Sequence, residues 1–488
     1  MQTLNDDVVF LIVSFVAPED ARDLSAVCRK FHIPAKRRAL SEAVFSDPGV
    51  CARFCKYMLE DIPGRLHWLR RLTLDAPYSG AGGMSLREWD LDLLVAFFRH
   101  ALNISFLSLN SAERIACSKQ EMIDALAALR NLEELKLTSV RELTLDIIKK
   151  SAAPLRKLEL GPDVHQIHFH RFFSRVTPVQ TVQSLELSIL DMDPPVQIDP
   201  QRQWLGVHDL TLICVYGQLQ IIQQAFPNIR TLVLHEVGLT GPSHPNSRWS
   251  SLDYVRVVFE NLHNIDISCP VRHLQLQIWD HSVHSSLWST LRATTPVFLT
   301  LKASRSNEDF WPTLLRGPFS LESLRGLELV CRYTVTSSDD FRSWLDLFSD
   351  ANAELPLVCM KIIVEDETYQ FWDVRDLLRS LTLLASKVAS IRYISLGIGT
   401  CNLYEDNYHG SMWWWRVNTV EQRKTLEAIS RNSGMRVLAA LQSPEYKDSI
   451  DLDALVAPER GRDVEGESGT YYLHTLQCDS IIPWGRVV

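Results

Sequence analysis

Residues 132–137 read Leu-Glu-Glu-Leu-Lys-Leu, and this phrase, an aliphatic residue followed after two positions by Leu-x-Leu, recurs along most of the chain. Copies begin at Leu69, Leu132, Leu155, Val182, Val207, Ile229, Leu252, Val271, Leu324 and Ile391, and two of them carry Val255-x-Val257 and Ile394-x-Leu396 in place of Leu-x-Leu. Side chains alternate between the two faces of a β-strand, so the aliphatic pair points to one face and the residue between them to the other. One strand cannot bury its apolar face alone, and recurrence at roughly 20 to 35 residues is typical of a stacked array of repeats.

Between these strands the apolar residues change from a period of two to helical spacing, as at 122–129, 219–226 and 377–384. The repeating unit is therefore predicted to be strand, loop, helix and loop. We predict an α/β fold in which parallel strands and helices form an irregular solenoid. The predicted order is a small three-helix module at 1–45, a helical connector at 46–68, the solenoid at 69–400 and a C-terminal cap at 401–488.

The predicted cap contains several short apolar segments. The run Trp413-Trp414-Trp415 is predicted to close the exposed end of the array, although three adjacent indoles could also form a ligand platform. A helix is predicted over Val420–Ile429 and a strand over Val437–Leu441. The polar stretch Glu459–Gly469 is predicted to be mobile.

The repeated phrase resembles the strand of the leucine-rich-repeat family, Leu-x-x-Leu-x-Leu, over residues from about 69 to about 399. The family usually places Asn or Cys three residues after the last Leu. Here that residue is mostly absent, since Thr138-Ser139-Val140 and Gly161-Pro162-Asp163 follow two of the strands. The resemblance therefore implies a leucine-rich-repeat-like solenoid with irregular turns.

Composition and charge narrow the possible functions. The chain is 46% hydrophobic and 22% charged, as in folded proteins, and its net charge of −9 without long basic runs argues against a nucleic-acid partner. Aspartates precede the apolar run Val8–Val16, which is too short to span a bilayer, so neither a signal peptide nor a membrane partner is predicted. The ten cysteines are scattered, which favours reduced thiols in the cytosol or the nucleus.

The first 45 residues differ in pattern from the array. Asn5, Asp6 or Asp7 can cap a first helix, Pro18 suits the first turn of a second, and a third is basic through Arg37 and its neighbours. A module this small, with so many aliphatic residues, either binds a partner that covers its apolar surface or serves as the N-terminal cap of the solenoid. Its predicted apolar frame consists of Val8, Ile12, Phe15, Leu24, Val27 and Phe31.

This module resembles an F-box. The matching segments are Leu4, Ile12-Val13-Ser14-Phe15-Val16 and Val27-Cys28-Arg29-Lys30-Phe31, while Asn5 stands where the family usually has Pro. An F-box followed by leucine-rich repeats is an architecture known from fungal protein sets. The resemblance implies docking on a Skp-type adaptor, and through it on a cullin, by Leu4, Val8, Ile12, Phe15, Leu24, Val27 and Phe31.

Residue patterns that would indicate catalysis by this chain are missing. The cluster His165-x-x-His168-x-His170 could share a zinc ion, but exposed or packed histidines explain it better, because no acidic or thiol ligand stands at a telling offset. Cys51 and Cys55 fit two structural thiols as well as a redox pair, and the glycine-rich loop at 80–85 lacks the Lys of a phosphate loop. We therefore predict no metal, no cofactor and no enzymatic activity.

Two functions remain. The chain is predicted to be the substrate-recognition subunit of a cullin-based ubiquitin ligase, and the alternative is a scaffold that binds the adaptor without ubiquitin transfer. In both, the residues between the paired aliphatics are predicted to form one continuous surface for a protein partner. The residues proposed to bind it are Lys136, Glu159, Glu186, Thr211, Arg256 and Gln275, and Thr73, Ser108, Val233 and Glu328 extend the same row.

Overall fold

The fold is taken from a computed structural model of the chain. It describes residues 5–75, 89–117, 119–162, 179–191, 202–240, 249–259, 267–278, 284–303, 321–332, 338–365, 374–401, 408–421 and 423–456.

The chain begins with the three short helices that the capping residues predict. They are α1 (Asp6–Ser14), α2 (Pro18–Val27) and α3 (Arg29–Ala39). The Asn5 side chain accepts a hydrogen bond from the Asp7 N–H at the start of α1, and Pro18 occupies the first turn of α2. Arg38 in α3 donates to the Val16 carbonyl oxygen at 2.9 Å, so the third helix holds the loop between the first two.

Within the described residues a sheet of 17 strands follows, and most of these strands are parallel. The first strands are β1 (Glu42–Phe45), β2 (Arg71–Leu74), β3 (Phe106–Leu109), β4 (Glu134–Val140), β5 (Lys157–Pro162), β6 (Ser184–Asp191), β7 (Asp209–Gln218), β8 (Thr231–His235) and β9 (Gly238–Thr240). They continue as β10 (Leu252–Phe259), β11 (Val271–Ile278), β12 (Phe298–Ala303), β13 (Gly326–Arg332), β14 (Cys359–Glu365), β15 (Tyr393–Cys401), β16 (Tyr408–Val420) and β17 (Arg423–Ile429).

The strands pair in the order of the chain, as a stacked array requires. From β1 to β15 every described pairing is parallel, with β8 next to β10 and the short β9 beside the end of β7. The paired aliphatics lie opposite one another, for example Leu135 opposite Leu158. The predicted parallel, solenoid-like α/β arrangement is confirmed. The sheet then ends in two antiparallel pairings, β15 with β16 and β16 with β17.

We call the face that carries the paired aliphatics the back face of the sheet, and the opposite face the front face. Back-face residues such as Leu135, Leu232 and Leu329 are 0–2% exposed and belong to a single apolar cluster that runs from Ala43 to Ile398. The helices that supply its other side are α4 (Pro48–Leu59), α5 (Leu91–His100), α6 (Ala112–Cys117), α7 (Gln120–Ala127), α8 (Glu142–Lys150), α9 (Leu219–Ala225), α10 (His284–Thr294), α11 (Ser338–Ala351) and α12 (Val374–Lys387).

The array begins earlier than the predicted start at residue 69. β1 pairs in parallel with β2, and its Ala43 and Phe45 lie opposite Leu72 and Leu74. The predicted connector at 46–68 is therefore the helical part of a first repeat, because Met58 on α4 is buried in the back-face cluster. A strand of four residues leaves too short an alternation to be distinguished from a loop.

Two segments of the predicted cap have the opposite secondary structure. Residues predicted as the helix Val420–Ile429 form mostly β17, and the predicted strand Val437–Leu441 lies in the helix α13 (Arg431–Gln442), which α14 (Leu452–Val456) follows. Val437, Leu438 and Leu441 share one face only at helical spacing. A short apolar run does not by itself distinguish the two periods.

A left-handed residue recurs two positions after the second leucine of several strands. Ser111, Ser139, Cys214 and Glu236 have φ between 50° and 58°, a region that non-glycine residues enter at a steric cost. The irregular turns expected from the missing Asn or Cys are therefore sharp bends at a repeated position, and Ser139 coincides with a shift of register between β4 and β5.

We expect Ser139→Gly to stabilise the fold by about 0.5–1 kcal/mol, because glycine removes a Cβ clash worth roughly 1–2 kcal/mol and adds back some entropy to the unfolded chain. Urea unfolding measures the change. Ser184→Gly is the matched control, because Ser184 lies in the β6 ladder, and there the same substitution should destabilise by about 0.5–1 kcal/mol. Equal effects at both positions would contradict the argument.

Candidate functional site

The first candidate surface lies on the N-terminal module. Its small core contains Val9, Val13 and Ala35, which are 0–2% exposed. Leu24 and Phe31 pack against this core and are partly buried. The sequence leaves open which residues of the predicted frame form the core of the module. In the structure Leu24 and Phe31 pack against that core, which contains Val9 and Val13 rather than Val8 and Ile12.

The remaining predicted residues of the frame are exposed to solvent. Val8 is 40% exposed, Ile12 43%, Phe15 83% and Val27 70%, and Leu11 between them is 60% exposed. Val8, Leu11, Ile12 and Phe15 follow the spacing i, i+3, i+4 and i+7, so they form one stripe on α1. We call these four residues together with Val27 the module patch. Leu4, the other predicted adaptor-binding residue, lies outside the described residues.

The module is joined to the sheet without a long linker. Only Leu40 and Ser41 separate α3 from β1, and Leu40 packs against the back-face cluster. Arg38 also donates a hydrogen bond to the Ser41 hydroxyl at 3.1 Å. These contacts fix the short connection between α3 and β1.

The second candidate surface is the front face. The residues between the paired aliphatics lie opposite one another on successive strands, as the sequence predicts. Glu159 is opposite Lys136 on one side and Glu186 on the other. The whole row reads Thr73, Ser108, Lys136, Glu159, Glu186, Thr211, Val233, Arg256, Gln275, Thr300 and Glu328.

From β2 to β8 this row is partly exposed, apart from Ser108 at 7%, and it carries three charged residues; we call this part the accessible section. Lys136 forms an ion pair with Glu159, and their side chains are 42% and 20% exposed. Two positions earlier along the strands, the Arg71 guanidinium lies 3.9 Å from a carboxylate oxygen of Glu134. The Glu186 carboxyl is half-buried, and burial together with the nearby Glu159 carboxylate raises its pKa. A cation brought by a partner would offset that unfavourable environment.

From β10 to β15 the same row is buried, which corrects the prediction of one continuous exposed surface. Arg256 is only 7% exposed and Gln275 only 4%, so neither is presented to a partner in this structure. Further along, the Lys361 Nζ and Glu328 Oε1 atoms form an ion pair of 2.7 Å. Burial opposes the charge on Glu328, but the attraction and hydrogen bond of Lys361 outweigh it and lower the pKa of that carboxyl.

The C-terminal segment, residues 430–456, lies against part of this buried section. On α13, Val437, Leu438 and Leu441 form an apolar cluster with front-face side chains that include Cys359 and Trp414. Within the tryptophan run, Trp414 points to the front face and is 1% exposed, whereas Trp413 and Trp415 pack against the back-face cluster. The three indoles do not share a face, so they form no common ligand platform.

The candidate chemical groups of the sequence lie only in part within the described residues. Within those residues, no set of three or more His, Cys, Asp or Glu side chains is placed to hold a metal ion. The histidine cluster at 165–170 and the glycine-rich loop at 80–85 lie outside them. Cys51 and Cys55 are buried with their Sγ atoms 4.0 Å apart, and this neighbouring thiol, with burial, raises the pKa of Cys55, as expected of structural thiols.

None of the described helices is long and apolar enough to cross a membrane. Comparison with known families and with curated proteins finds no match to the chain.

Proposed function

We propose that this chain is the substrate-recognition subunit of a cullin-based ubiquitin ligase, in which an F-box-like module docks on a Skp-type adaptor and a leucine-rich-repeat-like sheet binds the target. The observation that carries the proposal is the module patch. The stripe of Val8, Leu11, Ile12 and Phe15 leaves apolar side chains 40–83% exposed on a very small helical unit, and Val27 is 70% exposed. A simple N-terminal cap would turn such side chains towards the array.

The resemblance to an F-box supports the same assignment. Ile12 and Phe15 of the motif Ile12–Val16 are exposed, while Val13 supplies the core of the module. A helix with one buried and one exposed apolar side fits a module that needs both its own core and a partner. The adaptor would then cover Val8, Leu11, Ile12, Phe15 and Val27.

The target protein is proposed to bind the accessible section of the front face. Lys136, Glu159, Glu186 and Thr211 lie on neighbouring strands there, so they can meet one partner surface with complementary charge. No chemistry by this chain is required. Holding the target and the ubiquitin-conjugating enzyme in one assembly raises the effective concentration of a target lysine.

We expect the combined reversal Lys136→Glu, Glu159→Lys and Glu186→Lys to remove target capture with little change in stability, because the three side chains are only partly buried and an ion pair at a protein surface contributes about 0–1 kcal/mol. The first two changes invert the existing ion pair without abolishing it. Affinity purification under proteasome inhibition, with proteins identified by mass spectrometry, measures the loss. Adaptor recovery should not change.

Asp146→Lys with Lys149→Glu, two exposed positions on the helix α8, is the matched control and should leave target capture intact. Full target recovery by the front-face variant would place recognition elsewhere on the chain. Recovery of adaptor without cullin in the wild-type purification would favour the scaffold function over the ligase function.

A further inference from the structure

The C-terminal segment fills an apolar groove on the front face of the sheet. The side chains that form the floor of this groove are each at most 1% exposed, although the neighbouring front-face row is polar. These floor residues are Phe298, Cys359, Tyr393 and Trp414. Val437 and Leu441 of α13, both 0% exposed, enter the groove from above. An amphipathic helix lying in an apolar groove is a common mode of partner recognition.

Two glycines shape this fit. A Cβ atom on Gly326 would lie 2.2 Å from the Phe298 ring, so the absence of a side chain between β12 and β14 lets that ring cross the groove. On the helix, a Cβ atom on Gly434 would lie 2.1 Å from Cδ2 of Trp414. The backbone of α13 therefore rests directly on the indole, and the groove accepts a helix with a small residue at this point.

Ion pairs near solvent attach the edges of the C-terminal segment to the sheet. Arg325 donates two hydrogen bonds to the Asp448 carboxylate, at 2.8 and 2.9 Å. Asp453 forms ion pairs with Arg392 and Arg416 at 2.5 and 3.1 Å. The Asp448 side chain is 64% exposed, so dissolved salt reaches and screens this contact. By contrast, the Glu328–Lys361 pair on the sheet is shielded from solvent.

We propose that residues 430–456 form a strap that opens as a unit while the sheet stays folded, and that its opening uncovers the apolar groove. The occupant in this structure is the chain's own α13. Both α13 and α14 are helices and add no strand to the sheet, so their departure breaks no pairing between strands. This inference does not rest on the proposed ligase function.

Two buried thiols on adjacent strands provide the test. Cys359 on β14 lies in the groove under the strap, while Cys331 on β13 lies in the back-face cluster. Burial raises the pKa of both thiols, that of Cys359 to about 12, so neither should react with iodoacetamide while it is covered. Opening of the strap exposes Cys359 alone, whereas global unfolding exposes both.

Labelling of the full chain is followed by site-resolved mass spectrometry. We expect Arg325→Asp to raise the labelling rate of Cys359 roughly tenfold without changing that of Cys331, since it replaces a bidentate ion pair by two like charges. Sodium chloride at about 1 M, where the Debye length is roughly 3 Å, should act in the same direction on the wild type.

The reciprocal variant, Arg325→Asp with Asp448→Arg, should restore the slow labelling of Cys359, because it rebuilds the ion pair with its charges exchanged. Gly434→Ala provides an independent route to opening, because its methyl group displaces α13 from Trp414. If Cys359 and Cys331 are labelled at equal rates in every protein, or if no variant or salt concentration accelerates Cys359, the strap does not open separately and the inference is overturned.

Discussion

Replacing Leu11 and Phe15 by Asp in one variant is expected to weaken capture of a Skp-type adaptor at least about hundredfold, because exposed apolar anchors at the centre of an interface each contribute roughly 2 kcal/mol or more. Both side chains are mostly exposed, at 60% and 83%, so the module should stay folded. Co-purification with the adaptor measures binding, and circular dichroism of the variant verifies its helices.

Two controls separate docking from folding. Phe10→Asp changes another exposed aromatic residue of α1, but at about 100° per residue Phe10 lies away from the stripe, so adaptor capture should persist. Val9→Asp places a charge in the core of the module, where the side chain is 1% exposed, and should unfold its helices. Unchanged capture by the Leu11 and Phe15 variant would favour the plain N-terminal cap over the F-box assignment.

The largest loss of stability is expected from Leu135→Asp. Leu135 is 2% exposed and lies between Leu107 and Leu158 on the neighbouring strands. A carboxylate there would be buried without a cation and would also leave a cavity, which together should cost more than about 4 kcal/mol. The free energy of unfolding in urea, or the recovery of folded protein if none survives, measures the effect.

The adjacent position provides the comparison. Lys136 points to the front face, so Lys136→Ala removes only its ion pair with Glu159 and should change the free energy of unfolding by less than about 1 kcal/mol. A similar loss for both variants would mean that the two faces of β4 are buried alike. The pair therefore tests the alternation of faces directly.

The sheet could be predicted from the sequence because its signal is local and repeated. In each copy, the position of two aliphatic residues defines the back face, and ten copies in register leave little freedom in the pairing. The front-face neighbours Lys136, Glu159 and Glu186 follow from the same register, and the structure brings them together.

Other features depend on contacts that the local pattern does not contain. Helix α1 is apolar on most sides, so the sequence alone could not decide that Val9 and Val13 face inwards while Ile12 faces outwards. The burial of Arg256 and Gln275 could not be predicted either, because they occupy the same position in the repeated pattern as Lys136, which is far more exposed. The apolar content of the run Val437–Leu441 fits a strand as well as a helix, and only the spacing of Val437, Leu438 and Leu441 indicates a helix with one buried face.

The polar contacts of the C-terminal segment reach strands that are far apart in the array, and this limits how the number of repeats can change by duplication or deletion. Arg272 on β11 donates to the Tyr446 carbonyl oxygen at 3.2 Å, and Arg392, next to β15, pairs with Asp453. One repeat more or less between these strands would shift one contact relative to the other by a strand spacing of about 4.8 Å. Between β2 and β8 no described contact of the C-terminal segment fixes the number of repeats, and each strand pairs only with its neighbours. Inherited changes of length are therefore expected to collect in the first half of the array, where they would lengthen or shorten the accessible front face.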